Sequence, residues 1–287
     1  MLDKQRFGLN RSIAPSCGLK EFFDFAASVG LRKVELRNDL GSRDAVDNMQ
    51  PAVAARMAAD KGIEIISINA LQRFNLASVR AKAVSELLAL LEMAKSIGCR
   101  AVVLCPNNDQ NDARTTAQRA AETTDALSAF GPLFTRAGIL GLIEPLGFAI
   151  SSLPSLVLAQ ESIRKSGFAC YRIVHDTFHH YLGPEDQTIL GKDYDVSNTG
   201  LVHISGVEID LPASDYRDEH RVLVGPADCM KSKAQILRLD RLGFKGDFSF
   251  EPFSPALQKL NREKLADAVR QSLDFILNVR APSGAIA

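Results

Sequence analysis

Four side chains that can bind or ionise close apolar runs in the second half of the chain. Glu144 follows Gly141-Leu142-Ile143, Asp176 follows Ile173-Val174-His175, His203 follows Leu201-Val202, and Glu251 follows Phe248-Ser249-Phe250. A carboxylate at the end of a buried strand is costly unless it is paired or bound to a cation. Three of them brought together repel, and one protonates unless a positive charge relieves the crowding. Three carboxylates and one imidazole, with positions left open for substrate oxygens, suit one divalent ion. Mn²⁺ or Zn²⁺ fits this donor set best, Mg²⁺ and Co²⁺ also fit, and a thiolate-rich structural zinc site does not match it. Strand ends salt-bridged to lysines and arginines would satisfy the same pattern without a metal.

The other apolar runs also end in polar residues: Asn10, Glu35 with Arg37, Asn69, and Asn107 with Asn108. Asn69 and Arg37 are candidates for holding substrate oxygens. His175, His179 and His180 surround Asp176, and His179 is the one expected to face a pocket. His220 lies in a polar stretch and is expected in solvent. The segment Asp218–Pro226 is long and charged for a connection, as a lid or substrate clamp would be. Its Arg221 would either bind a substrate oxygen or pair with one of the carboxylates.

These positions acquire meaning from the elements that carry them. Eight short apolar runs recur: Phe7–Asn10, Lys33–Arg37, Ile63–Asn69, Ala101–Pro106, Ile139–Glu144, Tyr171–Asp176, Leu201–Ser205 and Asp247–Glu251. Several are continuously hydrophobic, as strands buried on both faces of a parallel sheet are. Helical spacing lies between them, for example Val84, Leu87, Leu88 and Leu91. Gly30, Gly62, Gly98, Gly138, Gly167 and Gly243 stand where a helix ends just before the next strand, the place for a left-handed residue. Serial βα units without a GxGxxG or GxxxxGK[ST] loop favour an α/β fold of one kind, a single (β/α)₈ TIM barrel, over an open sheet. One domain over residues 1–280 is expected, with a frayed tail at 281–287. A barrel carries its active site at the carboxyl ends of its strands, where the four residues fall on strands five to eight.

The chain has 287 residues, and its 34 basic residues equal its 34 acidic ones. No global field attracts nucleic acid or an anionic membrane. No apolar stretch is long enough to span a bilayer, and Lys4 and Arg6 precede no signal-like apolar region. The five scattered cysteines form neither a CxxC pair nor a disulfide framework, so reduced, mostly buried thiols in a cytoplasmic protein are expected. Homo-oligomer formation is left open.

Several segments together resemble the xylose isomerase-like barrels, a group that takes in xylose isomerases, ketose 3-epimerases and endonuclease IV. They are Val34-Glu35-Leu36-Arg37, Ser67-Ile68-Asn69-Ala70-Leu71 with Phe74-Asn75, Glu144-Pro145-Leu146-Gly147, Asp176-Thr177-Phe178-His179, Val202-His203-Ile204, and the stretch from Asp218 through Arg221 and Gly225 to Glu251. Within the group the chain looks most like the inosose isomerases of inositol catabolism. The resemblance implies that Glu144, Asp176, His203 and Glu251 hold the metal. It also implies that Glu144 and Glu251 act as acid and base, and that His179 and Arg221 contact the substrate, an inosose (2-keto-myo-inositol) or related sugar. The 3-epimerases carry a Glu six residues after the first metal Glu and an Arg six after the metal His; here those positions are Ile150 and Ile209. Other sugar isomerases, epimerases and inosose dehydratase share the same metal frame. An endonuclease IV-like enzyme needs more histidines than the five present and a positive surface.

Overall fold

The computed structural model describes residues 2–278, so the tail expected at 281–287 lies outside the described residues. Each apolar run forms a strand: β1 Phe7–Asn10, β2 Lys33–Arg37, β3 Glu64–Leu71, β4 Ala101–Leu104, β5 Leu140–Ile143, β6 Tyr171–Asp176, β7 Thr199–Ile204 and β8 Asp247–Phe250. They pair in parallel in chain order and close through β1 and β8, with Leu9 opposite Phe250. The protein is a closed eight-stranded (β/α)₈ barrel. Glu144 and Glu251 stand one residue beyond β5 and β8. Their amides still bond to the neighbouring strand, to the carbonyls of Leu104 at 3.0 Å and Ile204 at 2.9 Å. Both side chains are thereby fixed at the rim.

The surrounding helices are α1 Leu19–Ser28, α2 Pro51–Ala59, α3 Arg80–Ser96, α4 Thr116–Ala137, α5 Leu156–Ser166, α6 Thr177–Leu182, α7 Ser232–Arg241, α8 Pro255–Gln258 and α9 Arg262–Leu277. The six glycines picked out by their position all adopt positive φ, from 61° at Gly62 to 97° at Gly243. A side chain at these turns would be strained, so the sequence spacing of glycine reports the turn itself. None of the described helices is long and apolar enough to cross a membrane.

Alternation along the strands sorts the side chains. On β2, Val34 and Leu36 join the core between strands and helices, while Lys33, Glu35 and Arg37 point into the barrel. On β8, Phe248 and Phe250 pack outward beside Phe7. Inside the barrel, Ile66, Ala101, Val103, Leu142, Val174 and Leu201 form an apolar layer. Below it Asp247 is ion-paired to Lys33 and Arg100. The site lies above this layer, at the opposite end.

Candidate metal centre

Glu144, Asp176, His203 and Glu251 are all buried, and each offers one ligand atom within 4.8 Å of the others. His203 Nδ1 lies 2.7 Å from Glu144 Oε1, 3.2 Å from Glu251 Oε2 and 3.9 Å from Asp176 Oδ2. Ligands held about 2.0–2.2 Å from one ion stand about 3–4.4 Å apart, so this cluster has nearly the right dimensions. Three carboxylates and one imidazole form a borderline-hard set, and they could hold one divalent ion.

The local fold explains how the atoms are aimed. Asp176 caps α6: its Oδ1 accepts from the amides of Phe178 at 2.6 Å and His179 at 3.1 Å. Its Oδ2 is left to face the cluster and accepts from Arg221 Nη2 at 2.6 Å. The segment after Glu144 settles against α6 because residue 147 is glycine. A Cβ there would stand 1.9 Å from the carbonyl oxygen of His179.

Glu251 is held by three side chains. Its Oε1 accepts from Asn10 Nδ2 at 3.1 Å and Arg37 Nη1 at 2.9 Å, and its Oε2 from Arg221 Nη2 at 2.9 Å. Burial opposes its charge, but His203, Arg221 and Arg37 hold its pKa well below the usual carboxylate range. Burial likewise opposes a charged His203, yet Glu251, Glu35 and Glu144 raise its pKa well above that of free imidazole. A metal ion at Nδ1 competes with that proton.

The predicted substrate contacts gather around one cavity of about 440 Å³, lined by Arg37, Asn69, His179, Arg221, Glu144 and Glu251 among others. That volume suits a small molecule. His179 packs edge-on against Phe148 and Phe178, and its Nδ1 has no partner among the described residues. Of the two expectations for Arg221, the structure shows the pairing with carboxylates. Arg221 also stacks on Phe178 and Phe253, and Arg37 on the same Phe253. Asn69 has its amide nitrogen committed to Glu35 and Ser67, each at 3.0 Å. Ile150 and Ile209 are exposed. A second cavity of about 490 Å³ adjoins the first between the segment after β2 and α3, sharing Asp39, Ala70, Gln72 and Arg73.

Three placements differ from expectation. His220 is half-buried rather than in solvent, because its Nδ1 accepts from the Arg217 amide at 3.1 Å and its ring packs near Tyr216. All five cysteines are free, but only Cys99 and Cys105 are buried. Cys105 lines the cavity with its thiol 3.6 Å from Glu144 Oε2. Its position one residue past the β4 hydrophobic run was the available signal. Glu35 and Asn10 also belong to the cluster: Glu35 Oε2 lies 3.0 Å from His203 Nε2, and Asn10 joins Glu35 to Glu251.

The remaining histidines are structural. His175 Nε2 meets Gln235 Oε1 at 3.1 Å, and its ring lies 4.8 Å from that of His180. Burial, reinforced by His180, lowers the pKa of His175 to about 3; burial lowers that of His180 to about 4 despite Asp186. Both rings are neutral when folded, whereas the unfolded chain takes up protons below about pH 6.5. Their stabilisation is therefore present above that pH and is lost as pH falls towards the folded values. Lowering the pH from 7 to 5 is expected to remove about 2 kcal/mol through His180. Thermal unfolding of His180→Gln should show a smaller drop in Tm over this range, and an equal drop would clear His180 of the effect.

A family model for the xylose isomerase-like TIM barrel matches residues 23–279. The chain belongs to the xylose isomerase-like TIM barrel family. A xylose isomerase domain containing protein from Salmonella typhimurium LT2 is 36% identical, with 96% of this chain and 99% of that one covered and a TM-score of 0.90. The structure of the IOLI protein with a binding zinc atom is 20% identical, covers 94% and 97% of the two chains and has a TM-score of 0.85. L-ribulose 3-epimerase is 22% identical, covers 95% and 94%, and has a TM-score of 0.75. At their level of identity the last two establish likeness of fold alone. No curated protein sequence matches the chain. L-ribulose 3-epimerase thus shares this fold, and the buried Glu/Asp/His/Glu cluster sits at the end of the barrel where such folds do their chemistry.

Proposed function

We propose that this protein is a metal-dependent isomerase of a cyclic keto-polyol, 2-keto-myo-inositol, in inositol catabolism. The observation that carries the reading is the convergence of Glu144, Asp176, His203 and Glu251, with ligand atoms within 4.8 Å, at a cavity of about 440 Å³. The choice of an inosose rests on the sequence resemblance. It is supported by Ile150 and Ile209, which replace the Glu and Arg of the ketose 3-epimerase pattern with exposed apolar side chains.

The four residues would hold one divalent ion, Mn²⁺ or Zn²⁺ by preference. Such an ion polarises a carbonyl and makes the adjacent C–H more acidic. The protein's own groups then handle the protons. A carboxylate, Glu144 or Glu251, takes the proton from the carbon next to the ketone while the ketone oxygen gains a proton, which leaves an enediol. A proton returned to the former carbonyl carbon, with loss of the other hydroxyl proton, shifts the ketone by one position. No oxidant or co-substrate is needed. His179 and Arg221 would hold ring hydroxyls, Arg37 orients Glu251, and Asn69 would add a contact from the β3 end. The aromatic wall of Phe148 and Phe253, backed by Phe178, limits water around the reacting carbons.

The deciding experiment incubates the protein and Mn²⁺ with a panel of inososes and ketohexoses in D₂O and follows them by NMR. The expected result is a migrated ketone in an inosose, with deuterium at the adjacent carbon. A diketone would replace isomerase by dehydratase. Turnover of ketohexoses alone would replace it by epimerase.

A further inference from the structure

We propose that Glu35 is a positioning residue that sets the orientation of His203 towards the metal. The inference rests on the metal reading above. His203 projects from β7 and Glu35 from β2, and the two meet across the barrel over β8 and β1. Glu35 Oε2 is 3.0 Å from His203 Nε2, while the other ring nitrogen, Nδ1, faces Glu144, Glu251 and Asp176. The imidazole is thus held by one edge and offered by the other. Metal-bound histidines commonly hand their second N–H to a carboxylate, which fixes the ring and its tautomer.

The surroundings of Glu35 fit this task better than a general stabilising role. The residue is fully buried, and His203 is its only ion-pair partner among the described residues. Arg37 projects from the same face of β2 and pairs instead with Asp39 and Glu251. Neutral donors pin the carboxylate: the Ser67 hydroxyl and Asn69 Nδ2 on Oε2, and Asn10 Nδ2 on Oε1 at 3.3 Å. Asn10 Nδ2 also reaches Glu251 Oε1, which links the holder of one candidate ligand to another ligand. A slip in Glu35 would therefore turn His203 and loosen Glu251 together.

The test uses the full chain freed of metal. Titration calorimetry with Mn²⁺ and with Zn²⁺ compares the parent with Glu35→Gln, and thermal unfolding of both metal-free forms checks the fold. The expected result is an affinity roughly 10–100-fold weaker in Glu35→Gln, with Tm little changed. Equal affinity in the two proteins would overturn the role of Glu35 and leave the metal reading standing. A parent that binds neither ion would overturn the metal reading, and this inference with it. Should Glu35→Gln not fold, the parent itself decides. Long-range ¹H–¹⁵N spectra of the Zn²⁺-loaded protein should show the His203 ring proton on Nε2. A ring protonated at Nδ1 and bound through Nε2 would overturn the proposal.

Discussion

Glu251→Gln is expected to lower turnover of the proposed inosose substrate by a factor of about 10² or more, in line with loss of an acid–base group. Glutamine keeps the shape of the side chain and an oxygen for Arg37 or Arg221, but it cannot accept a proton from carbon. Burial disfavours the charge of Glu251, and His203, Arg221 and Arg37 together restore it, so the side chain is ionised and ready as a base. Removing its charge also leaves two buried guanidiniums short of a partner, since both Arg37 and Arg221 pair with this carboxylate. The variant should therefore be checked by circular dichroism and thermal unfolding alongside the rate. Deuterium uptake beside the ketone gives the most direct reading. Wild-type exchange in a folded Glu251→Gln would remove Glu251 from the proton transfer.

Removal of the metal is expected to have the larger effect. A chelator should abolish turnover, and added Mn²⁺ should restore it, because no other cation in the cluster can polarise a carbonyl in the same way. Affinity should also fall as the pH is lowered. The carboxylates around His203 raise its pKa well above the ordinary value, so in the metal-free protein the ring holds a proton that binding has to displace. Calorimetry in buffers of different ionisation enthalpy should register the release of a proton. Full activity in protein shown by elemental analysis to lack metal would end the metal mechanism.

The barrel was readable from the sequence because two physical periods repeat in it. Runs such as Ala101-Val102-Val103-Leu104 mark strands buried on both faces, and glycines such as Gly138 mark the turns before them. Glu144, Asp176, His203 and Glu251 were readable because each sits at the end of such a run. Strand position alone fixes which end of the barrel they occupy. The supporting residues were harder to read. Glu35 was readable as a polar residue at the end of an apolar run, but its task depends on a partner five strands further along the chain. Cys105 reads as an ordinary buried thiol until β4 is placed beside Glu144. His175, His179 and His180 differ in direction rather than type: Asp176 caps α6 and starts the turn that carries His179 to the cavity, while His175 faces Gln235. Arg221 could be assigned two partners from its loop, and only the folded chain brings it onto Asp176.

The inward charges of β2 bear on how the protein is made. Lys33 and Arg37 each find their partner 214 residues later, at Asp247 and Glu251, and Glu35 finds His203 after 168. At ribosomal speeds of about 5–20 residues per second, the longer interval lasts about 10–40 s. Through most of it, Lys33 and Glu35 of the nascent chain lack these partners, and Arg37 has only the nearby Asp39. Such charges are expected to disfavour premature burial of β2 against the wrong strand until β7 and β8 bring their partners.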